Sequence, residues 1–282
     1  MGITITQLNF YPVKSCAGTA LDTALLTERG IEHDREWLII DTQTSIALTQ
    51  RDFTQMCLIK TAVTTSSAER SRGGERRSAG AAYGLSLSAP NMRDINIPVA
   101  NCGERIVSVW DDECRAEDQG EDAAFWLSRY FEHDCRLVRM APDFVRTVDQ
   151  AYAKRKSDQV GFADAFPLLL ISQESLEELN TKLAEQLPMN RFRPNIVVKG
   201  GEPFAEDTWK TIRVNDLLFD VLKPCDRCLI TTIDQSTAHG SVEPLRTLAK
   251  FRTVGKKVMF GMNLAHHSTG QLKVGAQVEV LD

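Results

Sequence analysis

The chain has 282 residues, a formal net charge of −5 and an apolar share of 43%. This length allows one large domain or two modest ones. The negative charge argues against a dedicated nucleic-acid-binding protein, and no apolar run approaches the roughly 20 residues that span a bilayer. The N-terminus lacks a secretion signal, and the seven cysteines are odd in number and scattered, as is typical of a reducing compartment. We therefore expect a cytoplasmic protein that binds neither nucleic acid nor a membrane.

Short strands dominate the predicted structure of the first 110 residues. Apolar residues at positions 3, 5, 8 and 10 alternate with polar ones, and a slip at Gln7 predicts a bulge in this strand. Further strand patterns cover residues 37–40, 57–63, 85–87, 95–99 and 106–110. Residues 64–84 are rich in Ser, Gly, Ala and Arg, which favours a solvated hairpin loop over a binding arm.

Two amphipathic helices are predicted in the middle of the chain. The first begins around Asp118, because Asp118 and Glu121 resemble a capping box. Its apolar face, which we interpret as core packing, consists of Ala123, Trp126, Leu127, Tyr130 and Phe131. A connecting loop over 142–157 and a buried strand over 167–171 follow. Ser172 would then cap a second helix, whose inward residues are Leu176, Leu179 and Leu183.

The last third of the chain again predicts strands. They cover residues 196–198, 211–214, 217–221, 229–233, 258–264 and 274–280. A short helix near 244–251 interrupts them, with Pro244 suited to its first turn. Many short strands with few helices favour a mixed, mainly antiparallel β-barrel architecture in two parts.

The residues that could carry chemistry concentrate around the pair Cys225 and Cys228. A structural zinc site needs four ligands, and there is no second cysteine pair. His239, His266 and His267 do not have the spacing that would complete such a site. Zinc is therefore a weak interpretation of the pair.

Three other interpretations of this Cys-x-x-Cys remain open. A redox-active dithiol lies at a helix N-terminus, whereas the strand pattern at 229–233 follows Cys228 directly, which argues against it. A single thiolate could bind a soft metal centre, and Lys223 and Arg227 would favour that thiolate. Two cysteines packed at the end of a strand are the simplest interpretation, and spacing alone favours it.

Other motifs accompany this pair along nearly the whole chain. They are NFYPVKSCAG at 9–18, HDREWL at 33–38, FADAFP at 162–167, SQESLEELN at 172–180, RFRPNIV at 191–197, FAEDTW at 204–209, KPCDRCLITTID at 223–234 and EPL at 243–245. In this order they resemble MOSC proteins, named after the C-terminal domain of molybdenum-cofactor sulfurase, and among them the amidoxime-reducing components and their bacterial homologues. The resemblance implies an α+β, mainly β fold. A MOSC N-terminal β-barrel domain over residues 1–120 would pack on a C-terminal MOSC β-barrel with a few helices over 121–282.

The resemblance also implies a site. Cys228 would be the catalytic residue and the protein ligand of molybdenum in a molybdenum–molybdopterin cofactor. The residues that would bind the rest of the cofactor are Lys14, Ser15, Arg35, Asp164, Arg193, Asn195 and Arg227. Cationic and amide donors suit the phosphate and the ring system of a pterin. The chain departs from the family pattern at Asp226, where a serine is common, and at Ala165 and Phe166, where hydroxyl residues are expected.

The implied activity is the reduction of N-hydroxylated compounds such as hydroxylamino bases and amidoximes. The sequence lacks the Cys-x₄-Cys-x₂-Cys spacing of a plant-type iron–sulfur cluster. Electrons would therefore come from a separate donor of the ferredoxin, flavoprotein or cytochrome type. Two alternatives remain: a sulfur or cofactor carrier with a persulfide on Cys228, and a non-catalytic cofactor-binding module.

Overall fold

The computed structural model describes residues 2–65 and 83–281 of the chain. The contacts between residues divide the chain into two compact units. The first unit consists of Met1–Phe10, Gly18–Asp34 and Val145–Asp282, and the second of Tyr11–Ala17 and Arg35–Phe144. Both units are discontinuous in sequence. The division into domains at 1–120 and 121–282 stays a prediction.

The described residues are mainly in strands. In chain order these are Ile3–Phe10 (β1), Thr19–Leu21 (β2), Thr23–Thr27 (β3), Gly30–Ile31 (β4), Trp37–Asp41 (β5), Lys60–Thr65 (β6), Tyr83–Ser88 (β7), Ile95–Pro98 (β8), Glu104–Val109 (β9), Asp112–Asp118 (β10), Cys135–Met140 (β11), Leu168–Ser172 (β12), Ile196–Lys199 (β13), Thr211–Val214 (β14), Leu217–Asp226 (β15), Thr253–Val254 (β16), Lys257–His266 (β17), Gly270–Lys273 (β18) and Gln277–Val280 (β19). The described α-helices are Glu121–Phe131 (α1), Gln173–Asn180 (α2) and Leu245–Leu248 (α3). Short 3-10 helices cover Thr54–Leu58, Met189–Arg191, Ala205–Thr208 and Leu229–Thr232.

The first unit contains a closed barrel of seven strands, in the order β12, β13, β1, β19, β14, β15 and β17. Pairing of β17 with β12 closes the barrel. The β12–β13 pair is parallel, and the other pairs around the barrel are antiparallel. This confirms the predicted mainly β architecture with few helices and a β-barrel in the C-terminal part.

Local sequence patterns predicted several features of this barrel correctly. The register of β1 against β13 shifts between Ile5 and Gln7, which is the predicted bulge. All five residues of β12 are buried, as expected for a strand covered on both faces. Ser172 caps α2, because its hydroxyl accepts a hydrogen bond from the backbone N–H of Ser175. The buried carboxylate of Glu206 accepts hydrogen bonds from both serine hydroxyls and so fixes this corner.

The second unit has two sheets around one core. One sheet has the order β5, β11, β10, β9, and the other has the order β6, β7, β8. Trp37, Ile39, Leu85 and Leu137 from these strands share a buried cluster with Trp126 and Leu127 of α1. The aromatic stripe of α1 is thus core packing, as predicted.

Two predicted element boundaries in this unit are wrong. The capping box at Asp118 does not form, because Asp118 ends β10 and the N-cap of α1 is Gly120. The carboxylate of Asp118 instead accepts hydrogen bonds from the N–H of Gly120 and from Arg105 and Arg136. Cys57 lies in the 3-10 helix Thr54–Leu58, which buries its side chain, so the strand predicted over 57–63 begins only at Lys60.

β6 and β7 form the hairpin that was predicted around residues 64–84. Their pairing extends to Thr65 and Tyr83, whereas residues 66–82 lie outside the described residues.

Over the ranges 2–65 and 83–281, no helix has both the length and the apolar character that crossing a membrane would require.

Candidate functional site

Cys228 lies where the chain leaves the barrel, two residues after the end of β15. It is the N-cap of the 3-10 helix Leu229–Thr232, so the strand predicted over 229–233 is wrong. Two threonine side chains explain the difference. The hydroxyls of Thr231 and Thr232 donate to the carbonyls of Cys228 and Leu229, at 2.9 and 2.7 Å, and such local bonds compete with strand pairing.

This correction removes one argument against a redox-active dithiol, because a helix rather than a strand follows Cys228. A helix of four residues, however, contributes only a small dipole, since few peptide units are aligned in it. The interpretation of Cys225-x-x-Cys228 therefore depends on what surrounds the two sulfur atoms.

Arg227 connects the two cysteines to a neighbouring segment. Its Nη1 donates to the sulfur of Cys225 at 3.0 Å, and its Nη2 donates to the carbonyl of Phe192 at 2.7 Å. The guanidinium also lies 5.6 Å from the centre of the Phe192 ring. In the described part of the chain these partners include no carboxylate, so the positive charge of Arg227 is not neutralised by an ion pair.

The segment 191–193 contacts the Cys228 loop at further points. Buried Arg191 donates to the carbonyl of Thr232 at 3.3 Å and lies 3.9 Å from a carboxylate oxygen of Asp234. Arg193, in a left-handed backbone conformation with φ of 55°, donates to the side-chain oxygen of Gln235 at 3.4 Å. The structure thus brings Arg193, Arg227 and Cys228 into one contiguous part of the first unit.

Asp234 fixes the far end of the same loop. Hydrogen bonds from the hydroxyl and the N–H of Ser236, together with those from Thr237, lower the pKa of Asp234 to about 2. Its N–H also donates to the carbonyl of His239, which closes the turn. The carboxylate is therefore ionised throughout the neutral range and holds the loop in one conformation.

Asn195 lies in the same unit but has a structural set of partners. Its Nδ2 donates to the carbonyl of Asn9 at 3.2 Å, and its Oδ1 accepts from the N–H of Leu169 at 3.2 Å. The side chain is almost fully buried. These bonds join β1 to β12 next to Arg193, so Asn195 positions the segment that carries that arginine.

Asp164 lies in a loop held by a residue that the sequence did not single out. The buried guanidinium of Arg146 donates to the carbonyls of Gly161, Ala163 and Asp164, at 2.8, 2.5 and 2.8 Å. The sequence placed Arg146 in a basic connecting loop, because one arginine in a polar stretch resembles an ordinary surface charge. The fold brings the side chain of Arg146 to the loop of residues 161–164, and the sequence alone does not show this contact.

Lys223 and Asp226 have partners other than the cysteines. The ammonium of Lys223 lies 4.1 Å from the centre of the Tyr152 ring and 5.8 Å from that of Phe166, which is a cation–π arrangement. Asp226 pairs with Lys257 at 3.0 Å, and this hydrogen bond raises the pKa of Lys257. Asp226, the departure from the family pattern, is thus part of a surface ion pair.

The remaining predicted residues, Lys14, Ser15 and Arg35, belong to the second unit, where backbone pairing brings them together. The N–H of Arg35 donates to the carbonyl of Tyr11 at 2.8 Å, and that of Lys14 donates to the carbonyl of Trp37 at 3.0 Å. The guanidinium of Arg35 lies 4.2 Å from the centre of the Tyr11 ring. Lys14 and Ser15 are buried, and both Ser15 and Arg35 have positive φ angles, which fix a tight turn on each segment.

Accessibility separates the seven cysteines. The buried ones are Cys16, Cys57, Cys114 and Cys135, which pack as small hydrophobic residues. Burial raises the pKa of Cys135 to about 11, so this thiol is unreactive at neutral pH. Cys225 is half-buried and packs against a core cluster that includes Phe192 and Phe260, in agreement with a structural role. Cys228 is also half-buried.

The residues around Cys228 fit the chemistry of the cofactor that the resemblance implies. A molybdopterin is anionic and binds its metal through sulfur, and the thiol of Cys228 is a ligand suited to a soft metal centre. Arg227 supplies an unneutralised cation, and its Nε is buried without a hydrogen-bond partner among the described residues. Among residues 2–65 and 83–281, no group of three or more His, Cys, Asp or Glu side chains is arranged to hold a metal ion.

Comparison with known proteins identifies the family. The pattern of the MOSC N-terminal beta barrel domain matches residues 2–134, and that of the MOSC domain matches residues 157–279. Mitochondrial amidoxime-reducing component 1 of Mus musculus is 33% identical over an alignment that covers 99% of this chain and 82% of the relative. The Homo sapiens protein of the same name is 31% identical, with 99% and 83% covered.

A second kind of relative is similar over a shorter share of its own length. Molybdenum cofactor sulfurase of Danio rerio is 30% identical, and the alignment covers 94% of this chain but 32% of the sulfurase. Both kinds of relative match nearly all of this chain. The chain therefore belongs to the MOSC family, in the group whose members join a MOSC N-terminal beta barrel domain to a MOSC domain.

Proposed function

We propose that the chain is a molybdenum-cofactor-dependent oxidoreductase that reduces N-hydroxylated compounds, such as hydroxylamino bases and amidoximes, with electrons from a separate donor. The observation that carries the proposal is the position of Cys228. Its half-buried thiol lies in a loop that hydrogen bonds hold against the segment of Phe192 and Arg193, and the preceding residue, Arg227, is a cation that no ion pair neutralises in the described part of the chain. The names of the relatives, amidoxime-reducing components and cofactor sulfurases, support both the substrate class and the cofactor.

Each predicted site residue of the first unit has a defined task in this proposal. Cys228 would bind the metal, and its thiol must lose a proton to do so. Arg227 and Arg193 would offset the negative charge of the cofactor. When bound, the cofactor supplies the redox chemistry that removes the oxygen of the N–OH group. Asn195 and Arg146 would keep the surrounding segments in place, the latter through the loop that carries Asp164.

The roles of Lys14, Ser15 and Arg35 in binding the same cofactor stay a prediction from the family resemblance, as does the cytoplasmic location. Two of the relatives named above are mitochondrial by name. Fractionation of the native cells would decide the location.

The test compares Cys228→Ala with the matched control Cys225→Ala. Both remove one sulfur from the same Cys-x-x-Cys motif, Cys225 at the end of β15 and Cys228 just after it, but only Cys228 is a ligand in the proposal. Molybdenum and pterin are measured in proteins purified from cofactor-competent cells, and reduction of an amidoxime is measured with reduced methyl viologen. Cys228→Ala should lower the molybdenum content by more than about 100-fold, because loss of a mere outer-sphere partner already costs about 10- to 100-fold. Cys225→Ala should retain most of the metal.

Wild-type protein that contains neither molybdenum nor pterin would contradict the proposal. So would a Cys228→Ala variant that reduces the amidoxime at the wild-type rate. Either result would leave Cys228 without the role assigned to it.

A sulfur or cofactor carrier is the second candidate, and the match to a cofactor sulfurase over 94% of this chain favours it. In a carrier, Cys228 would hold a persulfide. Intact-mass measurement would then find one additional sulfur on wild-type protein and none on Cys228→Ala, with molybdenum absent from both. The same two variants thus separate the reductase from the carrier.

A further inference from the structure

The chain has one long stretch without any acidic residue. Between Glu243 and Glu279 there is no Asp or Glu, whereas Arg246, Lys250, Arg252, Lys256 and Lys257 occur within twelve residues. The chain as a whole carries a net charge of −5. This stretch is therefore a local concentration of positive charge on an otherwise acidic protein.

The part of this stretch from α3 to the start of β17 lies on the surface. Lys250, Thr253, Gly255, Lys256 and Lys257 are exposed. Two apolar side chains accompany them, Phe251 with 38% and Val254 with 64% of its surface exposed. We call residues 250–257 the basic hairpin surface.

The cations of the basic hairpin surface are only partly neutralised. Lys257 pairs with Asp226 at 3.0 Å, and Arg252 pairs with Asp207 at 2.6 Å. Lys250 and Lys256 form no ion pair with any described residue. The surface thus presents two unpaired ammonium groups around exposed apolar side chains.

The basic hairpin surface adjoins Cys228. β16 and the start of β17 form a hairpin in which Thr253 pairs with Val258. The carbonyl of Val258 accepts a hydrogen bond from the N–H of Arg227 at 2.8 Å, and Asp226 pairs with Met259. The residue after Arg227 is Cys228, and the next one, Leu229, exposes 64% of its surface. A protein that docks on the hairpin would therefore lie beside the proposed metal ligand.

From this juxtaposition we infer that the basic hairpin surface is the docking site for an acidic electron-carrier protein. The inference rests on the proposed function. Reduction of an N–OH group to N–H and water consumes two electrons and two protons, so a one-electron carrier must dock twice in each turnover. Transient docking of this kind favours a small, charged contact with a few apolar residues, because complementary charges speed association without slowing release.

A basic and apolar surface could also attract an anionic membrane. The position beside Cys228 favours the carrier protein. A membrane would cover this face permanently and hinder the entry of substrate, whereas a carrier leaves after each electron transfer. The test therefore includes lipid vesicles as a separate arm.

The experiment uses the full-length protein loaded with cofactor and a plant-type [2Fe–2S] ferredoxin as the acidic probe. The double variant Lys250→Glu/Lys256→Glu is compared with wild type and with Lys199→Glu/Lys273→Glu, which makes the same charge change at exposed lysines on β13 and β18. The hairpin variant should bind ferredoxin about tenfold or more weakly at low ionic strength, and the difference should shrink as salt is added. The control variant should bind within about twofold of wild type.

Turnover separates this inference from the proposed function. With reduced methyl viologen, a small donor that needs no docking site, both variants should reduce the amidoxime at the wild-type rate. With reduced ferredoxin, only the hairpin variant should be slow. Absence of viologen-driven turnover in wild type would overturn the proposed function, and the ferredoxin affinities would still decide the docking surface.

Three results would overturn the docking surface. One is no salt-sensitive binding of ferredoxin to wild type, and another is equal loss in the hairpin and control variants. The third is a hairpin-specific loss of binding to phosphatidylserine vesicles with unchanged ferredoxin binding, which would assign the surface to a membrane.

Discussion

Two pairs of arginine side chains, one pair in each unit, have different kinds of partner. In the second unit, Arg105 and Arg136 each lie 2.5 Å from a carboxylate oxygen of the buried Asp118. In the first unit, Arg227 and Arg146 donate to backbone carbonyls. The first arrangement neutralises the cations, whereas the partners of Arg227 leave its positive charge available.

An arginine paired with a carboxylate has a structural role, whereas an arginine bonded to carbonyls can prepare a site for an anion. A guanidinium paired with a carboxylate contributes to stability and has little attraction left for a ligand. A guanidinium held by carbonyls is equally fixed in position, but its charge still attracts an anion. The fixed and unneutralised cation of Arg227, the residue before Cys228, is therefore what distinguishes the candidate site from the ion pairs of Asp118.

The largest expected effect on stability comes from Asp118, which pairs with Arg105 and Arg136. Burial alone would raise the pKa of Asp118, but hydrogen bonds from Arg136, Gly120 and Arg105 outweigh it and hold the pKa below its usual range. Asp118→Asn leaves two cations without their shared carboxylate, so the free energy of unfolding should fall by about 3–5 kcal/mol. Urea denaturation measures this, and the molybdenum content of the folded fraction should be unchanged. A loss below about 1 kcal/mol would show that the cluster is not structural.

A smaller effect on stability is expected at Arg227. Both Arg227→Lys and Arg227→Met lose the bond to the carbonyl of Phe192, which should lower the free energy of unfolding by about 1 kcal/mol. Only Arg227→Met also removes the cation, so it should lower the molybdenum content by about tenfold, and Arg227→Lys should lower it less. If Arg227→Met retained the full molybdenum content, the charge at this position would be irrelevant to the cofactor.

The smallest effect concerns pH and the buried His266 of β17. Burial lowers the pKa of His266, the nearby Arg155 adds to this, and the Ser268 carbonyl, Asp158 and Glu28 oppose it. The folded-state pKa is thus below the ordinary value of 6.5, so the unfolded chain takes up the proton first. The contribution of His266 to stability is present above pH 6.5 and is lost as the pH falls below it. His266→Gln should flatten this slope in acid denaturation, and an unchanged slope in this variant would contradict the assignment.

The parts of the fold that sequence predicted well depend on local patterns. The bulge at Gln7, the buried strand before Ser172 and the cap of α2 follow from alternation, hydrophobicity and one hydroxyl. β10 was missed because its charged sequence, DECRAED, resembles a loop, although it pairs with strands on both sides. Its buried face is marked only by two small alternating residues, Cys114 and Ala116, a pattern too short to stand out among the charged neighbours.

In the candidate site, too, the sequence predicted some features correctly and missed others. Sequence named Cys228, Arg227 and Arg193, and the structure places them in one contiguous part of the first unit. It did not predict the helix at Leu229–Thr232, because β-branched residues favour strands and the bond from Arg191 to Thr232 joins positions 41 residues apart. The guanidinium of Arg146 was missed for the same reason: its three carbonyl partners lie 15 to 18 residues along the chain.

The closure of the barrel has a consequence for synthesis on the ribosome. β1 is translated first, but its barrel partners are Lys199 in β13 and Val278 in β19. At translation rates of about 5–20 residues per second, the nascent β1 waits on the order of tens of seconds for its last neighbour. The second unit, confined to residues 11–144, can fold during that interval. A ribosome that stalls after residue 200 would therefore display a finished second unit beside unpaired strand edges, which nascent-chain chaperones and quality-control proteases recognise.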